Sequence, residues 1–401
     1  MSYMDLDKQK VLKWITVAYV VSMSIHLRYV PSMIFNPIYG IDKCFVYLST
    51  IALFFMVAFR VSLAFFLGLL CLLIQFFVAK FHPESFRAST LIYSAILMIS
   101  YMSVYTFINS YRVFTIEFFI KLMKVMITTF FVVCILQQIC LIIGLTNVPW
   151  INLSYLNRGL GCQSLSYEPS SFARFMFVFY FAYITCSGYV EGQKLSFSRI
   201  FQVPHRNVTL MFLWMIITMG SGTAYVCLAV LSIVFITRKN WLYILPSIFV
   251  MVFVIVPALD MEQSNRAVKI LEASTTFDQQ TIEEADGSGA SRISPLINSF
   301  SADFSDPDIW LGKGTDYATN HRLVVLQKGT LFDDYGLIWY LCTLVFMIYT
   351  AYKINAYTII LIFSGLAGGS CGNINYSWCL MFIFVCIKYF HDNRFLICKQ
   401  E

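Results

Sequence analysis

Two stretches of this sequence hold residue types and spacings that can do chemistry. The first is Ser166-Tyr167-Glu168-Pro169-Ser170-Ser171-Phe172-Ala173-Arg174, a few residues after Arg158-Gly159-Leu160-Gly161. Proline suits the first helical position and holds the residue before it extended, so a helix is predicted to start at Pro169 with Glu168 as its cap. A carboxylate at that end is stabilised as the anion by the helix dipole. Glu168 is therefore better suited to accept from a guanidinium or a hydroxyl than to act as a general acid; a capping Glu with no further role is the plain alternative. Arg174 follows one turn further on, inside an apolar run, where a charge costs roughly 2.5 to 3.5 kcal/mol at full membrane depth. It must face a cavity or a partner, or else snorkel to the rim.

The second stretch is Asp306-Pro307-Asp308-Ile309-Trp310-Leu311-Gly312-Lys313-Gly314-Thr315-Asp316-Tyr317, followed by Asn320-His321-Arg322. Gly312 and Gly314 let the backbone approach a ligand closely. Asp306 and Asp308 have the DxD spacing of divalent-metal sites in nucleotide-sugar enzymes. The proline between them stiffens the pair, and a solvated turn is the simpler reading, so no metal is assigned. Upstream, Ile293, Leu296, Ile297, Phe300 and Phe304 recur at helical spacing after Arg292, which predicts an amphipathic helix lying on a membrane domain.

The elements that must position these residues follow from composition. The chain has 401 residues, 59% of them hydrophobic and 12% charged, with a mean hydropathy of +0.71. Apolar runs of about 20 residues recur along it, and they are continuous rather than alternating, which indicates membrane-spanning helices and not a barrel. Twelve spans are predicted, at 14–34, 44–59, 61–79, 89–108, 125–145, 171–190, 208–219, 223–237, 241–257, 336–352, 355–369 and 374–390. The first lacks a small-residue cleavage site and reads as a retained helix rather than a signal peptide. Alternate connections carry Lys8, Lys10 and Lys13; Arg60; Arg112, Lys121 and Lys124; Lys194, Arg199 and Arg206; Arg238 and Lys239; Lys353; and Lys388, Arg394 and Lys399, sixteen of the 28 basic residues. The positive-inside rule makes that side cytoplasmic, with both termini inside.

The domain plan is then transmembrane helices over 1–258, an extracytoplasmic loop over 259–335, and further helices with a cytoplasmic tail over 336–401. The loop carries thirteen of the 22 acidic residues in under a fifth of the length. Spans 208–219 and 223–237 are too short to cross alone, and Gly220-Ser221-Gly222 lies between them. They read either as half-length helices flooring an outward cavity or as a tightly packed hairpin.

Of the twelve cysteines, only Cys162 and Cys371 fall where an outer aqueous phase is expected. Their spacings suggest neither a zinc site nor a disulfide framework. The net charge of +6 lines the cytoplasmic rim, where anionic lipid accounts for it without nucleic acid.

The order of these features resembles the Wzy-type O-antigen and capsular polysaccharide polymerases, in the superfamily that also holds O-antigen ligase. The matching elements are the outer RGLG and SYEPSS entering a helix, Thr-x-Gly-Ser-Gly from Thr218 to Gly222, and the long outer loop with RIS at Arg292. LGKGTDY from Leu311 to Tyr317, His321, and YGLIWY from Tyr335 complete the series. The resemblance covers about 125–345. One departure is the distance from His321 to Gly336, longer than the family's by about one helical turn.

The resemblance implies a GT-C-like, all-α polytopic membrane protein that uses no cofactor. It implies transfer of a polyprenyl diphosphate-linked glycan to a sugar hydroxyl on a second lipid-linked repeat, at the outer face of the plasma membrane. Membrane lipids and a chain-length regulator are the other expected partners. Without metal, the departing diphosphate needs guanidinium groups, which pair bidentately with phosphate oxygens. Arg158, Arg174, Arg292 and Arg322 are the outer-side candidates. His321 is the candidate base for the acceptor hydroxyl, with Asp316 in reserve, and Glu168, Gly312 and Gly314 join the substrate-binding set. Ligase-type transfer and a lipid-linked oligosaccharide flippase are the alternatives. The flippase would favour mid-membrane ionisable groups and related halves, of which the sequence offers few.

Overall fold

The computed structural model describes residues 6–25, 47–48, 51–52, 55, 62–145, 160–166, 168–235, 298–315, 317, 330, 332–351 and 375–393. Among them there are helices and turns but no strand. Among the described residues four helices are long and apolar enough to cross a membrane: Leu63–Phe81, Ala88–Tyr111, Ile116–Ile142 and Pro169–Val190. This is the all-helical architecture that a bilayer imposes, since each helix satisfies its own backbone groups. Of the predicted spans, 241–257 and 355–369 and most of 44–59 lie outside the described residues.

The chain divides into two compact units, one of 1–56, 107–264 and 382–401, the other of 57–106 and 265–381. In chain order the helices are α1 Leu6–Ser24, α2 Leu63–Phe81, α3 Ala88–Thr106, α4 Ile116–Ile142, α5 Pro169–Val190, α6 Phe197–Ile200, α7 Arg206–Thr218, α8 Gly222–Val234, α9 Pro307–Leu311, α10 Gly336–Ala351 and α11 Asn375–Asp392. Two predicted starts move. α1 begins eight residues early, so Lys8, Lys10 and Lys13 ride on its first turns. α4 begins at Ile116 because Thr115 caps it, its side chain accepting from the Phe118 N–H at 3.3 Å. Lys121 and Lys124 are thereby helical rather than in a connection.

In the first unit α5 is the centre. Nineteen of its 22 residues are buried, as expected of a helix apolar on all sides. The Phe130 ring of α4 meets Phe172, Phe175 and Phe179 of α5. On another side Tyr180 stacks on Phe212 of α7 at 4.1 Å between centroids. Polar contacts bind the same helices, Tyr180 Oη lying 2.9 Å from Thr209 Oγ1.

In the second unit α2, α3 and α10 pack together. The Gln75 amide and the Ser94 hydroxyl pair between α2 and α3 at 2.9 Å. Tyr101 Oη lies 2.7 Å from Thr350 Oγ1 between α3 and α10. Val78, Tyr335 and Trp339 form a small core with Ile74. The amphipathic helix expected from Ile293 to Phe304 is only partly within the described residues, and there it ends at Phe300. Phe300 is 82% exposed. Phe304 sits in the following turn, where its carbonyl accepts from Trp310 Nε1 at 2.9 Å. The stripe breaks because the Asp303 side chain takes the Ser305 N–H at 2.9 Å, a local bond that competes with helix.

Candidate functional site

α7 and α8 have 13 residues each, about 20 Å of helix against about 30 Å of hydrocarbon. Neither can cross, and Gly220, with φ of +67°, makes the turn between them. The short elements predicted on either side of Gly220-Ser221-Gly222 are therefore present as two half-length helices. The far end of α7 is pinned to α4, where Gln138 Nε2 donates to Thr218 Oγ1 at 2.7 Å and Gln138 Oε1 accepts from Trp214 Nε1 at 3.0 Å.

The neighbouring residue Gln137 holds the connection that precedes α5. Its Nε2 donates to the Ser164 carbonyl at 2.9 Å and its Oε1 accepts from the Ser164 N–H at 2.7 Å. Ser164 has φ of +50°, and its hydroxyl donates to the Phe130 carbonyl at 2.7 Å. Residues 160–166 are thus held against α4 between Phe130 and Gln138. The two adjacent glutamines were not singled out in the sequence. The available signal was the expense of amides inside an apolar 27-residue helix, where such groups are kept for interhelical bonds.

Glu168 stands at the cap position of α5 with Pro169 first in the helix, as predicted, but its side chain does not cap. Its Oε1 instead accepts from the hydroxyls of Ser170 and, at 3.5 Å, Ser171. Arg174 is 3% exposed, enclosed by protein rather than extended to the rim. Gln163 is 1% exposed, and its amide atoms and the Ser166 hydroxyl have no hydrogen-bond partner among the described residues. Buried polar groups are rarely left so unless a ligand or water completes them.

The first unit thus brings Glu168, Arg174 and the 160–166 connection together near the start of α5, with α8 packed along that helix. Helix starts carry partial positive charge and outward N–H groups, so this region suits an anion.

In the second unit, Gly312 and Gly314 have φ of +80° and +107°. The close approach they permit is to the chain itself. A Cβ on Gly312 would stand 2.6 Å from the Gly336 nitrogen, and one on Gly314 would stand 2.7 Å from the Cβ atoms of His82 and Ser85. The Lys313 N–H donates to the Asp333 carbonyl at 2.6 Å, and Lys313 Nζ lies 4.0 Å from Asp333 Oδ1. The LGKG stretch is therefore tied to the head of α10 and to the end of α2. Asp306 caps α9, its Oδ1 accepting from the Asp308 N–H at 3.0 Å. Among the described residues no three His, Cys, Asp or Glu side chains group as metal ligands. Arg158, Arg292, Asp316, His321 and Arg322 lie outside the described residues.

A second polar cluster, also not singled out in the sequence, lies at the other end of α5. Glu191 Oε1 accepts from His205 Nε2 at 2.6 Å, and its Oε2 accepts from Arg199 Nε at 3.1 Å. His205 Nδ1 faces the Tyr183 hydroxyl at 3.0 Å. A carboxylate only accepts, so Nε2 carries a proton, and Nδ1 pairs with the Tyr183 hydroxyl. With both ring nitrogens occupied, this histidine locks a turn.

No family model, curated protein or solved structure matches this chain.

Proposed function

We propose that this chain is a membrane glycosyltransferase that lengthens lipid-linked glycans at the outer face of the plasma membrane. The buried Arg174 near the start of α5 is the observation that supports the reading most. A buried guanidinium near a helix start is suited to a departing diphosphate. The acceptor is the non-reducing-end sugar of a second lipid-linked repeat.

In the reaction, the acceptor hydroxyl oxygen bonds to the anomeric carbon of the donor while the bond from that carbon to the phosphate oxygen breaks. The electron pair leaves on the polyprenyl diphosphate. Arg174, with Arg158, Arg292 and Arg322, holds that charge as planar forks, so the transfer is metal-independent. His321 takes the hydroxyl proton, with Asp316 as the alternative acceptor. Gln163 and Ser166 offer glycan hydroxyls the hydrogen bonds that they lack within the described chain. Glu168, its oxygen already accepting from Ser170 and Ser171, acts as an acceptor and not as an acid.

The test is purified protein in detergent or nanodiscs with a lipid-linked repeat unit, resolved by product length. A ladder of lengthened lipid-linked chains supports polymerisation. Transfer to lipid A core without chain growth makes the enzyme a ligase, and translocation across vesicles with no new glycosidic bond sinks the transferase reading.

A further inference from the structure

Cys134 of α4 and Cys162 of the connection before α5 are 28 positions apart in the chain, yet their Sγ atoms lie 3.2 Å from each other. Both are buried, at 0% and 5% exposure. Two thiol sulfurs at that separation need to close by only about 1 Å to reach the roughly 2.05 Å of a disulfide. Their approach is held by bonds on both sides: Gln137 clamps the Ser164 backbone two residues beyond Cys162, and Ser164 Oγ donates to the Phe130 carbonyl one turn before Cys134. Gln138 Nε2 lies 4.0 Å from the Cys162 sulfur, so the pair sits inside the polar knot that fixes the half-helix break. Sequence spacing suggested no disulfide; the fold brings these two together regardless.

We propose that Cys134 and Cys162 form a disulfide that staples the 160–166 connection to α4 and closes a loop containing Arg158. The inference rests on the orientation adopted above, in which the connection carrying Cys162 faces an oxidising outer compartment, so that Cys162 meets the oxidant first and Cys134 resolves the mixed disulfide as the connection packs onto α4. The chemistry is thiol–disulfide exchange. One cysteine thiolate attacks an oxidant disulfide, giving a mixed disulfide and one released thiol. The second thiolate then attacks the protein sulfur of that intermediate and expels the other thiol. Two thiol protons are lost, two electrons pass to the oxidant disulfide, and one sulfur–sulfur bond is made in the protein. The staple holds the approach to α5 against α4, on the side where Gln163 and Ser166 are buried.

The experiment uses the full chain taken directly from its native membrane and denatured in SDS with excess N-ethylmaleimide, so that buried free thiols are blocked as well. After reduction, the newly exposed thiols are tagged with maleimide-PEG and the linked peptides are mapped by mass spectrometry. The expected result is two tags that appear only after reduction, and an unreduced peptide joining Cys134 to Cys162. Cys134→Ser and Cys162→Ser should each remove both tags. Detection of both cysteines as N-ethylmaleimide adducts in the wild-type chain overturns the disulfide in either orientation. A reporter fused after Ser288, read in parallel, tells whether the orientation falls with it.

Discussion

Arg174→Lys keeps the positive charge and gives up the planar fork. If Arg174 holds the diphosphate, chain growth should fall by about 10²-fold, the scale for losing one preorganised donor to a developing charge. Expression and melting temperature should change little. A lysine variant that polymerises normally would reduce Arg174 to general positive charge. Similar substitutions at Arg158 and Arg292 extend the test to the outer loops. His321→Ala should lower turnover by about 10² to 10⁴ with donor still bound, the span expected for a lost acid or base. Activity of the intact enzyme should also fall on acidification, since only the neutral imidazole accepts a proton. Near-wild-type growth by both His321→Ala and His321→Gln would pass the proton to Asp316 or to the substrate.

At the scale of elements, the tie between LGKG and the head of α10 makes a stability prediction. Gly312 has φ of 80° and ψ of 169°, a region that costs other residues about 1 to 3 kcal/mol. Its Cβ would in addition meet the Tyr335–Gly336 backbone. Gly192 has φ of +69°, but a Cβ added there would meet nothing within 4 Å, so its alanine variant carries conformational strain alone. Thermal melting should place Gly312→Ala well below Gly192→Ala; equal melting would mean that the tie contributes nothing. The α5–α7 turn makes a second prediction. Burial pushes Glu191 up, but hydrogen bonds from His205 and Arg199 and their charges outweigh it and hold the carboxyl below its ordinary value of 4.5. A carboxylate depressed in the fold stabilises at full strength above its unfolded value and loses that contribution as pH falls through the folded one. Stability should therefore be lost on the acid side of 4.5, and Glu191→Gln should flatten that limb of the melting-against-pH curve. Parallel acid limbs for the two proteins would remove Glu191 from the account.

For the whole molecule, the charge distribution predicts that the 259–335 segment is extracytoplasmic and both termini are cytoplasmic. A reporter fused after Ser288 should be active only outside, and activity inside would invert the topology. The all-helical class was legible in the sequence because the bilayer leaves few solutions: apolar runs of spanning length must be helices. Pro169 marked the start of α5, and Gly220 and Gly222 marked the half-length of α7 and α8, each through a local backbone rule. The amphipathic stripe toward Phe304 failed because Asp303 offered the backbone a competing bond. What tertiary structure alone decided was the company each side chain keeps. Gln138 meets Thr218 across 80 positions and Cys134 meets Cys162 across 28, while the space left by Gly312 is filled by the backbone at Gly336. No local pattern encodes such meetings. They follow from how packed helices and the connections between them set residues of distant sequence side by side.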